Sequence, residues 1–162
     1  MLPILLRTLF VVGALACAVA LGGCSSLSPQ QQYIKQADAI CQLGSQARRD
    51  IPEPVLRGSS SQQLRALGPW LDQIVGEYDA EYERIQGLAP RPAKNLKVLD
   101  EFINALRKDV ARLEQFDSLV HGGSVSHIRL AAAKVDESVS ESGVDDYAKA
   151  YGLTACAGTG GV

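Results

Sequence analysis

The sequence predicts an all-helical fold, an up-down-up-down four-helix bundle with an extended, proline-containing segment after the first helix. Three observations predict it. Apolar residues recur at alternating steps of three and four along several stretches. Proline or glycine separates those stretches. No stretch alternates polar and apolar with a period of two for long enough to make a strand.

The first helix is expected from about Pro29 to Asp50. Ser28, Pro29 and Gln31 supply an N-cap, a proline at the first helical position and a glutamine at the third, the pattern of a capping box. Its apolar stripe, Ile34, Ala37, Cys41, Gly44 and Ala47, is thin. The second helix opens near Ser60, with Gln63 three residues on, and carries Leu64, Leu67, Leu71, Ile74, Tyr78, Ile85 and Leu88. Glu81 breaks this heptad and Tyr82 is expected to take its place. Pro69 lies inside the pattern, so either a kink or a regular part beginning at that proline is expected.

The third helix, from about Pro92 to His121, has the cleanest seam: Leu96, Leu99, Ile103, Leu106, Val110, Leu113, Phe116 and Val120. The fourth starts near Ser124 with Val125, Ile128, Ala132, Val135 and Val139 and resumes through Tyr147 and Tyr151, with Gly143 a point of interruption. Gly87-Leu88 and Gly152-Leu153 both read as a left-handed glycine followed by a leucine that packs back on the last turn.

Charge is nearly balanced, 16 basic against 18 acidic side chains in 162 residues. That excludes electrostatic binding of nucleic acid. Of the 23 residues from Met1 to Gly23, 17 are apolar, against about 42% of the rest. Arg7 precedes an uncharged apolar run, Thr8 to Leu21, that is short for a membrane span and suits the core of an export signal.

The signal closes on Leu21-Gly22-Gly23-Cys24 followed by Ser25-Ser26, and this resembles the lipobox of bacterial lipoproteins. The resemblance implies that Cys24 receives a diacylglyceryl group with palmitate-type chains and that residues 1–23 are removed. Residues 24–32 would then be a lipidated cysteine and short tether, 33–157 the helical domain and 158–162 a flexible tail. More than one acyl chain gives stable anchoring, which places the domain at the cell membrane, facing outside the cytoplasm. An uncleaved helical anchor, or a plain secretory cut that leaves Cys24 free, would export the domain as well.

On that reading Cys17 leaves with the signal and Cys24 is acylated, which leaves Cys41 and Cys156 as the natural disulfide pair in an oxidising compartment; two buried thiols are the alternative. The pairing sets a geometric condition. The end of the fourth helix must lie beside the start of the first, so the first arm is expected to be half helix and half extended run through Ile51 to Gly58.

The order Ala37-Asp38-Ala39-Ile40-Cys41, a proline-containing segment, Leu88-Ala89-Pro90-Arg91-Pro92-Ala93, a third apolar helix, a Gly-Gly turn and Tyr151-Gly152-Leu153-Thr154-Ala155-Cys156 resembles a group of small actinobacterial helical lipoproteins. The resemblance implies a disulfide-closed extracytoplasmic bundle and brings no functional residues with it.

No catalytic constellation is present: no H-E-x-x-H, C-x-x-C or G-x-S-x-G. Neither His121 nor His127 has the Glu-x-x-His spacing of di-iron bundles, so both are expected to be solvated or capping residues, with no metal and no cofactor. Gly122-Gly123-Ser124 reads as a turn rather than an anion cradle. Asp136, Glu137, Glu141, Asp145 and Asp146 read as the solvated face of the last helix, able also to meet a basic partner or loosely bind divalent cations. Trp70, Tyr78, Tyr82, Tyr147 and Tyr151 are the candidate lining of a small apolar ligand site, with plain packing as the other reading. The function expected is a non-enzymatic envelope interaction or structural module, with a carrier of a small apolar ligand as the alternative.

Overall fold

The computed structural model describes residues 27–122, 128 and 142–158. The signal segment, Cys17, Cys24, the expected first part of the fourth helix apart from Ile128, His127, Asp136, Glu137, Glu141 and the last four residues lie outside them. The described chain is all helical: α1 Pro29–Asp50, α2 Ser60–Gln86, α3 Leu96–His121 and α4 Val144–Tyr151. No residue among those described is in a strand.

Helix α1 has the expected limits. The Ser28 hydroxyl accepts from the Gln31 N–H, and Gln31 Oε1 accepts from the Ser28 N–H at 2.9 Å. The helix ends at Ile51, whose backbone is already extended (φ −75°, ψ 117°). Pro52 and Pro54 hold the following residues out of helical conformation, and residues 52–57 form an irregular run up to α2. The first arm is therefore part helix and part irregular run, with a tight turn in it where the Arg57 N–H donates to Val55 O at 3.1 Å.

The remaining boundaries correct the sequence expectation in three places. The N-cap of α2 is Ser59, whose N–H donates to Gln62 Oε1 at 2.7 Å, one residue earlier than expected. Helix α2 starts well before Pro69 and passes through it, which leaves the first of the two expectations for that proline. Pro69 is exposed, so the missing amide bond falls where water can take the freed carbonyl. Gly87 has φ −76° and is not left-handed; the helix simply ends, and Leu88 is half-buried against the core. Helix α3 starts at Leu96, because Asn95 adopts a left-handed φ of 57° that breaks the run from Pro92. Leu96, expected in the seam, is exposed as a result.

Helix α2 packs on α1 and on α3, and α3 on α4. The main core takes Tyr33, Ala37 and Cys41 from α1, Ile74, Tyr78, Tyr82 and Ile85 from α2, the α3 seam from Leu99 to Leu113, and Val144, Ala148, Tyr151 and Leu153 from the C-terminal part. A smaller cluster of Leu71, Val120 and Ile128 lies beside it.

The last turn of α4 is a Schellman motif. Gly152 has φ 99°, its N–H donates to Lys149 O at 3.1 Å, and the Leu153 N–H donates to Ala148 O at 2.8 Å. The reversal buries Leu153 and carries the chain back to α1. There Cys156 bonds Cys41, with Cα atoms 5.1 Å apart and a sequence separation of 115. Asp38 fixes the same turn, accepting from the Ala155 N–H at 2.9 Å and the Thr154 hydroxyl at 3.2 Å.

Two outcomes follow from this closure. Replacing both cysteines with alanine should lower the unfolding free energy by roughly 4–5 kcal/mol, the loop-entropy value for so long a loop, read by urea titration against the oxidised protein. Gly152→Ala forces a side chain into a left-handed residue and should lower stability by about 1–2 kcal/mol, read in the same assay.

Candidate functional site

The five aromatic candidates fall in or against the main core, and Trp70 packs against the smaller cluster as well. Tyr78, Tyr82 and Tyr151 are buried; Trp70 and Tyr147 are half-buried. The Tyr151 ring meets Tyr33 edge-on at a centroid distance of 6.1 Å, and Tyr78 lies under the Arg48 guanidinium at 3.8 Å. Among the described residues, Trp70 Nε1 and the Tyr151 hydroxyl find no hydrogen-bond partner. Burial pushes Tyr33 up to about 12 and raises Tyr78 and Tyr151 above the usual phenol value.

Glu81 corrects the sequence reading more sharply. It is not displaced from the core by Tyr82; both are buried, Glu81 to 1% exposure. Arg48 from α1 reaches it at 2.7 Å (Nη1 to Oε2) and stacks on Tyr78 at the same time. A Cβ at position 44 would collide with Glu81 Oε2, so only glycine lets this carboxylate approach α1. Burial raises the Glu81 pKa despite the opposing pull of Arg48. Asp109 is buried too, bonded to Arg112 at 3.0 Å, and burial again raises its pKa.

A third polar group joins α2 and α3 at the end of the bundle where α3 finishes. Asp117 and His121 are one turn apart on α3 and share a face, while Asp72 projects from α2. His121 Nε2 is 2.9 Å from Asp72 Oδ1 and 3.5 Å from Asp117 Oδ1. One ligating atom of each residue lies within 4.8 Å of the others. The Asp72 hydrogen bond and charge raise the His121 pKa; burial first, then the Asp72 charge, raises that of Asp117. Asp117 Oδ1 is shut off from solvent and has no hydrogen-bond partner among the described residues.

His121 is thus half-exposed, as expected, but it is not a lone solvated residue. The sequence reading missed Asp72 and Asp117 because it searched for an acidic partner three residues before the histidine. The i, i+4 pair Asp117 and His121 was the signal available; Asp72 comes from another helix. Of the acidic residues near the C-terminus that are described, Asp146 is exposed, and Asp145 accepts from the Gly158 N–H at 2.9 Å.

The chain matches no protein-family model, no curated protein and no solved structure.

Arg48→Met should lower stability by about 3–5 kcal/mol by stranding a buried carboxylate, while Arg48→Met with Glu81→Leu should recover most of it. The pH response has a definite sign. A carboxyl whose folded pKa is raised contributes most in its protonated form, and that contribution disappears as pH climbs through the raised value. Arg48→Met should therefore regain stability as the pH is lowered from neutral toward the ordinary carboxylate range, and the double variant should not, in urea titrations across that interval.

Proposed function

We propose that the protein is an exported, lipid-anchored helical bundle, held at the cell membrane outside the cytoplasm and acting as a non-enzymatic envelope interaction or structural module. The observation that carries this reading is the Cys41–Cys156 disulfide, since a structural cystine that staples the two ends of a fold belongs to an oxidising compartment. The segment before it supports the same reading: Arg7, the apolar run Thr8 to Leu21, and Leu21-Gly22-Gly23-Cys24 in lipobox position. No helix among the described residues is long and apolar enough to cross a membrane; in this proposal the bilayer contact is made by acyl chains on Cys24.

The distance from Cys24 to the first residue of α1, Pro29, is five residues. Fully extended that is at most about 17 Å, which keeps the bundle within reach of lipid headgroups. Leu43, Val55 and Leu56 are exposed on the first arm and available to a protein partner.

A second reading, a carrier of a small apolar ligand near Trp70, Tyr78, Tyr82, Tyr147 and Tyr151, is favoured by the unpaired Trp70 Nε1 and Tyr151 hydroxyl. A small molecule retained in equal stoichiometry in native mass spectra of the extracted protein would favour the carrier over the module.

Intact-mass measurement of membrane-extracted protein should give a chain that starts at residue 24 and carries fatty-acid mass. Cys24→Ser should move the protein out of the membrane fraction while the Cys41–Cys156 bridge stays intact. A chain that still starts at Met1, or unchanged membrane retention of the serine variant, would overturn the reading.

A further inference from the structure

We propose that Asp72, Asp117 and His121 form a binding site for a first-row divalent transition ion such as Zn2+. Two carboxylates and an imidazole, drawn from two helices, converge with one donor atom each inside a 4.8 Å sphere of mutual distances. A tetrahedral ion with bonds of about 2.1 Å separates its ligand atoms by roughly 3.4 Å. The spacings from His121 Nε2 to the two Asp Oδ1 atoms, 2.9 and 3.5 Å, bracket that value.

The site has features that ordinary surface charge does not explain. Asp117 Oδ1 is enclosed and has no hydrogen-bond partner among the described residues. Its nearest donor is His121 Nε2 at 3.5 Å, too far for a good hydrogen bond; an enclosed carboxylate oxygen left so is unfavourable, and a cation at the centre of the cluster would satisfy it. Asp72 and Asp117 bring two negative groups against one imidazole, so the cluster has excess charge for a divalent ion to neutralise.

The surroundings also hold the donors in place. Asp72 follows the buried Leu71, and His121 follows the buried Val120, so both ligands are attached to the small apolar cluster that ties α2 to α3. Gly68 lets the imidazole lie close over α2, where a Cβ would stand 3.2 Å from its Cε1.

The donor set selects the class of ion. Calcium and magnesium prefer oxygen ligands throughout, whereas imidazole with carboxylates suits zinc, manganese, cobalt and nickel. Three protein ligands leave a further position open for water or for a donor from a partner.

The test uses the full-length protein, extracted in detergent with its disulfide intact and stripped with chelator. Titration with Zn2+ should show one saturable site per chain, and Co2+ should give the visible absorption bands of a low-symmetry nitrogen and oxygen site. His121→Ala, Asp72→Asn and Asp117→Asn should each weaken Zn2+ binding at least about tenfold and remove the Co2+ bands, with unchanged far-ultraviolet circular dichroism showing that the fold survives. Asp146→Asn, at an exposed carboxylate outside the cluster, should leave binding unchanged. Absence of saturable binding, binding that persists in the three variants, or Mg2+ binding as tight as Zn2+ would each overturn the assignment.

Discussion

The fold depends on closure between its first and last helices. Packing follows chain order, α1 on α2, α2 on α3 and α3 on α4, and α4 is only 8 residues long. A helix of that length is not stable alone. It is held because Gly152 turns the chain back, Leu153 is buried, and Cys156 and Asp38 fix the turn to α1. Tyr33 and Tyr151 meet edge-on across the same seam. Beside the covalent link, the C-terminal turn is held to α1 by two hydrogen bonds to Asp38 and by side-chain packing.

A second constraint runs between α1 and α2. The core admits a carboxylate at position 81 because three features coincide there: a glycine that makes room, an arginine that neutralises, and a tyrosine ring that backs the arginine. Buried ion pairs contribute little net stability compared with apolar residues of the same volume, yet removing one partner is severe. Their value here is in register, since Arg48 can meet Glu81 and Tyr78 together at only one axial position of α1 against α2.

Features encoded within a few residues were the ones legible in the sequence. The α1 capping box, the Gly152-Leu153 stop, the α3 seam and the end of α1 before Pro52 all follow from local chemistry, and the Cys41–Cys156 cystine was the pairing expected. The features that escaped need a partner from another helix. Glu81 read as a break in a stripe because Gly44 and Arg48 are more than thirty residues away. Gly87-Leu88 has the same letters as Gly152-Leu153 but not the positive φ, because the reversal between α2 and α3 is spread over residues 87–95 and the left-handed residue in it is Asn95. The Asp72, Asp117 and His121 cluster was half legible: the α3 pair shows in the sequence, the α2 carboxylate only in the packing.

The cystine has a topological consequence for the chain as a covalent object. Both irregular connections described, residues 51–59 between α1 and α2 and residues 87–95 between α2 and α3, lie between Cys41 and Cys156. Hydrolysis of a peptide bond in either connection would leave both fragments joined through sulfur. A protease that cut only one of them would not release a piece of the molecule, whereas cuts in both would leave α2 with no covalent link to the rest.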